Sequence, residues 1–324
     1  LASKRVLITG ASGFVGANLT RRLLRDGHRV TVLLREQSDT WRIDDVLADL
    51  DVRSLDLLDL AAVRAVTGEI KADWIFHLAA YGNYSWQEDW RQIVDTNLTS
   101  TINLLEAASE TGFDAFINTG SSSEYGICDH APLESERVEP NSYYAVTKAA
   151  ATAACRHVAA VRDLYIPTLR LYSVYGPYED PRRLMPTIIR KGLEKDLPPL
   201  VDPDIARDFI YTDDVVEAYL AACKPASTER APIYNVGSGV QTTIKEIVDL
   251  AREIFCIEKT PVWGSMDNRK WDASVWVASI GKIEKELGWK PDTSLRDGLS
   301  RFTAWLESQE AMKEHYRSAA TARA

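Results

Sequence analysis

The sequence predicts an α/β fold: a doubly wound parallel sheet followed by a smaller C-terminal domain. Three observations carry this. A short apolar strand, Val6-Leu-Ile8, runs straight into a turn with glycines at 10, 13 and 16. From there to about residue 172, strand-like runs alternate with helical periodicity, the pattern of a parallel sheet covered on both faces. Beyond Ser173 that rhythm breaks among prolines at 177, 181, 186, 198, 199 and 203.

The elements follow in order. An apolar-periodic helix begins among the glycines (Phe14, Val15, Leu19, Leu23, Leu24). A strand turning through glycines into a helix start brings backbone N–H groups close to a pyrophosphate, where free donors and the helix dipole favour an anion. Gly10, Ser12, Gly13, Phe14, Val15 and Gly16 are therefore candidate dinucleotide contacts. Strands are expected at 29–34, 52–55, 74–77, 115–119 and 168–170. Helices are expected at about 59–66, 93–109 and 143–163. Leu78, Ala79 and Ala80 follow the fourth strand and are small enough for a flat ligand to lie against backbone. The fifth strand runs into Gly120-Ser-Ser-Ser123. Ligands in such sheets sit beyond the carboxyl ends of the strands, where all these turns fall. The expected division is a dinucleotide-binding domain over 1–172, with segments near 206–236 returning to it, and a mainly substrate-binding domain over 173–309. The stretch 310–324 shows no core pattern and is expected to fray.

Bulk properties narrow the function. The 324 residues are 45% hydrophobic and 26% charged, as in ordinary globular proteins. A net charge of −9 leaves no basic stripe for nucleic acid or a membrane surface. Cys128, Cys155, Cys223 and Cys256 are far apart, without C-x-x-C pairing, and read as reduced thiols; no metal site is expected. No apolar run approaches the ~20 residues of a membrane span, and the first strand begins at Arg5. A cytoplasmic protein is the expectation.

Chemistry concentrates on one helix. Tyr144 and Lys148 are four residues apart and share a face. A free phenol titrates near ~10; an ammonium beside it favours the phenolate, so Tyr144 becomes a proton donor or acceptor for a carbonyl or hydroxyl. Ser121, at the end of the fifth strand, is placed to hold the same oxygen.

These features together resemble the extended short-chain dehydrogenase/reductases: Thr9-Gly-Ala-Ser-Gly-Phe-Val-Gly16, His77-Leu-Ala-Ala80, Asn97, Ser121 and Tyr144-x-x-x-Lys148. Tyr175-Gly-Pro177, Arg207-Asp-Phe-Ile-Tyr-Thr-Asp-Asp214, Asn235-Val-Gly-Ser-Gly239 and Leu287-Gly-Trp289 resemble their nucleotide-sugar epimerase/dehydratase branch. The resemblance implies a Rossmann domain binding a nicotinamide dinucleotide and a C-terminal region gripping a nucleotide-diphosphate sugar. Asp56 and Leu57 would face the adenine, Lys148 the nicotinamide ribose, and Ser121 and Tyr144 the reacting sugar oxygen. Asn97 joins the cofactor set; Tyr81, Ser122, Ser123, Ser173, Arg207 and Arg269 form the substrate set. The resemblance also implies a homodimer built on the helices near 93–109 and 143–163.

Departures from that pattern sharpen the reading. Dehydratases of the branch carry an acidic residue two positions beyond the catalytic Ser/Thr, where this chain has Ser123. Glu124 lies one residue further and is expected to point elsewhere, which disfavours water elimination. Ser173 replaces a common asparagine. Trp271 and Trp276 are either core or a stacking surface for a base, and loop 81–86 with Trp90 either shapes the sugar pocket or simply packs. NAD-preferring relatives end the second strand with an acid that binds the ribose 2′-hydroxyl. Here Leu34 and then Arg35 stand there, which favours NADP, with Ser38 and Arg42 as helpers; NAD is the alternative. The expectation is an NADPH-dependent reductase of a nucleotide-linked 4-keto-6-deoxysugar. The alternatives are an NAD-retaining C4-epimerase, then a 4,6-dehydratase, and last a non-catalytic dinucleotide sensor.

Overall fold

The structure is a computed structural model and describes residues 2–84, 86–266 and 275–321. Strands β1 (Arg5–Thr9), β2 (Arg29–Leu34), β3 (Asp51–Ser54), β4 (Trp74–His77), β5 (Ala115–Ser121), β6 (Thr168–Leu171) and β9 (Ile233–Val236) form one sheet in the order β3-β2-β1-β4-β5-β6-β9. Every pairing in it is parallel.

Strand alternation sorts the core to two faces. Val6 and Ile8 of β1 pack with Leu19 and Leu23 of α1 (Phe14–Arg25) and with Val215 and Tyr219 of α7 (Thr212–Ala221). Leu7, between them, points to the other face, toward α2 (Leu60–Ile70), α4 (Ser100–Thr111) and α5 (Tyr143–Arg162). Because both faces are covered, the strands read as continuous apolar runs.

The smaller lobe holds a three-stranded sheet: β7 (Ser173–Tyr175) pairs parallel with β8 (Ala206–Tyr211), which pairs antiparallel with β10 (Gln241–Thr243). Around it pack α6 (Leu184–Leu193), α8 (Ile244–Phe255) and α10 (Leu295–Ser308), with α9 (Gly281–Leu287) lying against β9. A capping box between Thr243 and Glu246 starts α8.

Two expectations are corrected. The single helix over 93–109 is α3 (Trp90–Val94), a π-helical turn (Asp95–Thr99) and α4; the extra residue in that turn faces Asn97 inward, where it is buried. The frayed tail is instead helix α11 (Glu310–Thr321), whose Tyr316 is only 1% exposed and donates a hydrogen bond from its hydroxyl to the Glu179 carbonyl at 2.7 Å. Met312 and Tyr316, one turn apart, give α11 a short apolar edge that packs on the smaller lobe's core. Among the described residues no helix is long and apolar enough to cross a membrane, and no three metal-ligating side chains gather.

Candidate active site

β1 lies between β2 and β4, so chain order reverses at the carboxyl end of β1, the position where open α/β sheets form a crevice. Gly10 sits at φ +72, and a Cβ there would stand 2.6 Å from the Ala79 nitrogen. A Cβ on Gly16 would collide with the Gly10 carbonyl oxygen. Gly13 caps α1 without a side chain, and the first turn carries no acidic residue. The first N–H groups of α1 are therefore presented with an uncompensated positive helix end, which fits a dinucleotide pyrophosphate. Ser12, Gly13, Phe14 and Val15 are partly exposed on this turn, with Leu78, Ala79 and Ala80 opposite.

β5 ends at Ser121, and Ser142 caps the helix that carries Tyr144 in its first turn and Lys148 in its second. The Ser121 hydroxyl faces the Tyr144 phenol closely enough to act on its titration and lies 2.7 Å from the Ser123 hydroxyl. Lys148 is 3% exposed, so its amine is turned inward. Burial pushes Tyr144 up to about 12, and the Ser121 hydroxyl and the Arg183 charge pull it back. Burial holds the Lys148 ammonium below its ordinary range, against the attraction of Glu124.

Glu124 does point elsewhere. Residues Ser122–Tyr125 form a 3-10 turn, and Glu124 folds back to accept the Ser121 N–H at 2.9 Å and the Arg170 Nε–H at 3.0 Å. Both side chains of this ion pair are buried, at 0% and 4% exposure. The carboxylate thus anchors the strand end that carries Ser121 and is unavailable to a substrate. Ser123, two positions beyond Ser121, offers only a hydroxyl.

Asn97 is corrected from cofactor contact to brace. Its carbonyl oxygen accepts the Tyr81 N–H at 2.8 Å, and its amide donates to the Tyr81 carbonyl at 2.8 Å and the Thr147 hydroxyl at 3.0 Å. It is 1% exposed, so its polar atoms are committed to protein. Beside it His77 bridges the hydroxyls of Thr9 at 2.7 Å and Thr101 at 2.8 Å. Burial, then the Lys148 charge, takes this imidazole down to about 3, so it is neutral and serves as a hydrogen-bond link from β1 to α4.

On the substrate side, Tyr81 is fixed by Asn97, Ser122 is buried in the 3-10 turn, and Ser173 opens β7. Arg207, on β8, lies over the Trp276 ring at 5.3 Å and donates to the Ala206 carbonyl at 2.7 Å. Trp276 is thus the seat of an arginine, while Arg269 and Trp271 lie outside the described residues. Sequence reasoning missed Arg183, which packs on Tyr84 of the 81–86 loop. Arg183 covers the Tyr84 ring at 4.6 Å, donates to the Asn83 carbonyl at 3.3 Å, and its charge reaches the Tyr144 phenol. Tyr84 stacks on Trp86 at 4.6 Å, and Arg182 covers Trp86 at 4.1 Å. The loop after β4 is therefore clasped to the segment before α6, near Tyr144. The adjacent arginines after Pro181 were the available signal.

At the end of β2, Leu34 is buried and Arg35 exposed; the Arg35 N–H donates to the Ser38 hydroxyl at 3.0 Å. Asp56 is exposed and accepts the Leu58 N–H at 2.9 Å, while the Leu57 carbonyl accepts from Asn103 at 2.9 Å.

Known proteins share this fold. A UDP-glucuronate 4-epimerase of Thermodesulfobacterium geofontis is 29% identical over 312 residues, covering 92% of this chain and 95% of the relative. A dTDP-glucose 4,6-dehydratase of Streptomyces griseus is also 29% identical, over 95% of this chain and 96% of its own. Among solved structures, the UDP-glucose 4-epimerase of Thermotoga maritima with UDP-glucose matches at a TM-score of 0.85 and 25% identity, covering 94% of this chain and 98% of the other. The UDP-glucuronic acid 4-epimerase of Bacillus cereus, in complex with UDP-glucuronic acid and NAD, matches at 0.82 and 26%, covering 94% and 99%. Residues 6–237 match the model of the NAD dependent epimerase/dehydratase family, and the chain belongs to that family.

Proposed function

We propose that the protein is a nucleotide-sugar 4-epimerase that retains NAD. The observation that carries the reading is that Glu124, the only carboxylate on the turn after Ser121, is locked against Arg170 and the Ser121 N–H, leaving the Ser121 hydroxyl and the Tyr144 phenol facing each other. A hydroxyl pair can move a proton to and from a sugar oxygen. Without an acid or base aimed beside the carbonyl, water elimination lacks its proton acceptor. The 4-epimerases among the relatives, and the neighbour bound to NAD, support this over the 4-ketoreductase expected from the second strand.

Bound in the glycine cradle, the nicotinamide dinucleotide supplies a reversible hydride acceptor. As the phenolate, Tyr144 would take the C4 hydroxyl proton while the C4 hydride leaves for the dinucleotide, and would return that proton when the hydride is given back, so no net cofactor would be consumed. Ser121, held by Ser123 and by the anchored strand end, orients the same oxygen. Lys148 is placed for the nicotinamide ribose, and Arg183 favours the charged form of the phenol. Arg207 is the candidate diphosphate partner. Inversion requires the ketone to present its other face before hydride returns.

One observation favours a second reading, NADPH-dependent reduction: β2 ends at Leu34, with Arg35 next, so the strand-end position holds no carboxylate for a ribose 2′-hydroxyl. Purified protein decides between the two. An epimerase carries NAD and interconverts UDP-glucose with UDP-galactose, or UDP-glucuronate with UDP-galacturonate, without added cofactor. Absence of both, with NADPH oxidised by a 4-keto sugar nucleotide, overturns the epimerase. Tyr144→Phe should abolish turnover and leave dinucleotide affinity near normal. Exposed Ile102 on α4 and Val146 and Val161 on α5 support assembly as a homodimer through these helices; a monomer at micromolar concentration in light scattering would exclude it.

A further inference from the structure

Arg42 lies in the segment after β2 at the lip of the glycine cradle. One of its terminal nitrogens is 3.4 Å from the Ser12 carbonyl oxygen, and its Nε donates to the Tyr178 carbonyl at 2.8 Å. The guanidinium covers the Trp41 ring at 4.3 Å. Among the described residues no carboxylate lies within ion-pair distance of it. The nearby acids Asp39, Asp180 and Glu179 act only at longer range, and Asp180 is already held by Arg182. A largely desolvated guanidinium whose direct partners are two neutral carbonyls still has donors and charge for an anion. The turn it borders is the one whose geometry fits a pyrophosphate.

Its position depends on the C-terminal helix. The Trp41 ring lies 4.1 Å from that of His315 and packs edge-on to Tyr316, and Tyr316 in turn holds the Glu179 carbonyl beside Tyr178. Tyr178 itself has φ +70, a left-handed conformation that a tyrosine keeps only where its surroundings impose it. Helix α11 therefore braces both sides of Arg42: the ring beneath its guanidinium and the backbone that accepts its Nε–H.

We propose that Arg42 is a phosphate-facing residue of the dinucleotide site, and that α11 holds it there and so slows cofactor release. This rests on the dinucleotide reading of the cradle. The phosphate is either the pyrophosphate, common to both nicotinamide dinucleotides, or the adenosine 2′-phosphate of NADP.

The test is calorimetric titration of nucleotide-stripped full-length protein with NAD and with NADP, alongside Arg42→Gln and Arg42→Lys. Loss of about tenfold or more in affinity for both dinucleotides in Arg42→Gln, partly restored in Arg42→Lys, places Arg42 at the pyrophosphate. Loss confined to NADP places it at the 2′-phosphate. Unchanged affinity for both, whatever the melting temperature does, reduces Arg42 to a strut between Ser12 and Tyr178 and overturns the proposal. Wild-type protein that binds neither dinucleotide overturns the cradle reading as well. His315→Ala and Tyr316→Phe keep the arginine in the sequence while loosening its brace, and keep the proposal testable should both Arg42 variants unfold. Each should release NAD several-fold faster than wild type in a dilution assay, and wild-type release rates in both would remove α11 from the mechanism.

Discussion

Glu179 offers the sharpest physical test of this architecture. Its side chain is 8% exposed, and one carboxyl oxygen has no hydrogen-bond partner among the described residues. Burial pushes it from an ordinary 4.5 up to about 8, against the pull of Arg183, a Gly176 N–H and Arg42, and with Asp180 adding to the push. The folded protein therefore keeps this carboxyl protonated at neutral pH, while the unfolded chain ionises it. A value raised on folding favours the native state fully below about 4.5, and that advantage is lost as pH rises from there to about 8. The cost is about 3 kcal/mol at pH 7 and about 5 kcal/mol above pH 9. Glu179→Gln replaces the protonated acid by a neutral near-isostere that does not titrate. Urea unfolding of both proteins between pH 5 and pH 9 isolates the effect, because every other titrating group cancels in the difference. The variant should match wild type near pH 5 and gain on it steadily toward pH 8. A gap that stays constant across that range refutes the placement of Glu179 in a protonated, closed environment.

Three further outcomes follow from the same geometry. Glu124→Ala leaves Arg170 buried without its anion and the Ser121 N–H without its acceptor, so urea unfolding should show a loss of about 3–5 kcal/mol; less than 1 kcal/mol would mean water already solvates the pair. Asn97→Ala removes three hydrogen bonds between Tyr81, the π-helical turn and α5, a loss of about 3 kcal/mol. It should lower kcat more than KM, because the helix carrying Tyr144 loses its brace. Gly10→Ala forces a side chain into a left-handed position 2.6 Å from the Ala79 nitrogen. It should destabilise by about 2 kcal/mol or more and weaken dinucleotide binding; wild-type affinity in a stable variant would show that the turn shifts freely.

How much of this was legible in the sequence depends on the range over which each interaction is encoded. Val6-Leu-Ile8 and the glycines behind it carry their whole meaning within a dozen residues, so cradle, sheet position and parallel class could be read directly. The Tyr144–Lys148 spacing told correctly that both share a helical face. It could not tell that burial would dominate the phenol's titration, or that Arg183, on a different lobe, would add its charge there. Helix α11 was missed because an alanine-rich amphipathic segment shows a core pattern only when its partner surface is known; the signal amounts to Met312 and Tyr316 one turn apart. Glu124 is the instructive case. Strand alternation predicted that a carboxylate displaced by one residue would face away from the substrate, and it does. The chain, however, has already left the strand there and entered a 3-10 turn, and the residue is turned back by the Ser121 N–H and by Arg170, forty-six positions away. A dehydratase-like acid therefore cannot be recovered by a rotamer change of Glu124. Moving the carboxylate to position 123 while keeping Glu124 in its ion pair is the least change that would offer the sugar a base, and Glu124→Gln alone should leave the reaction type unchanged.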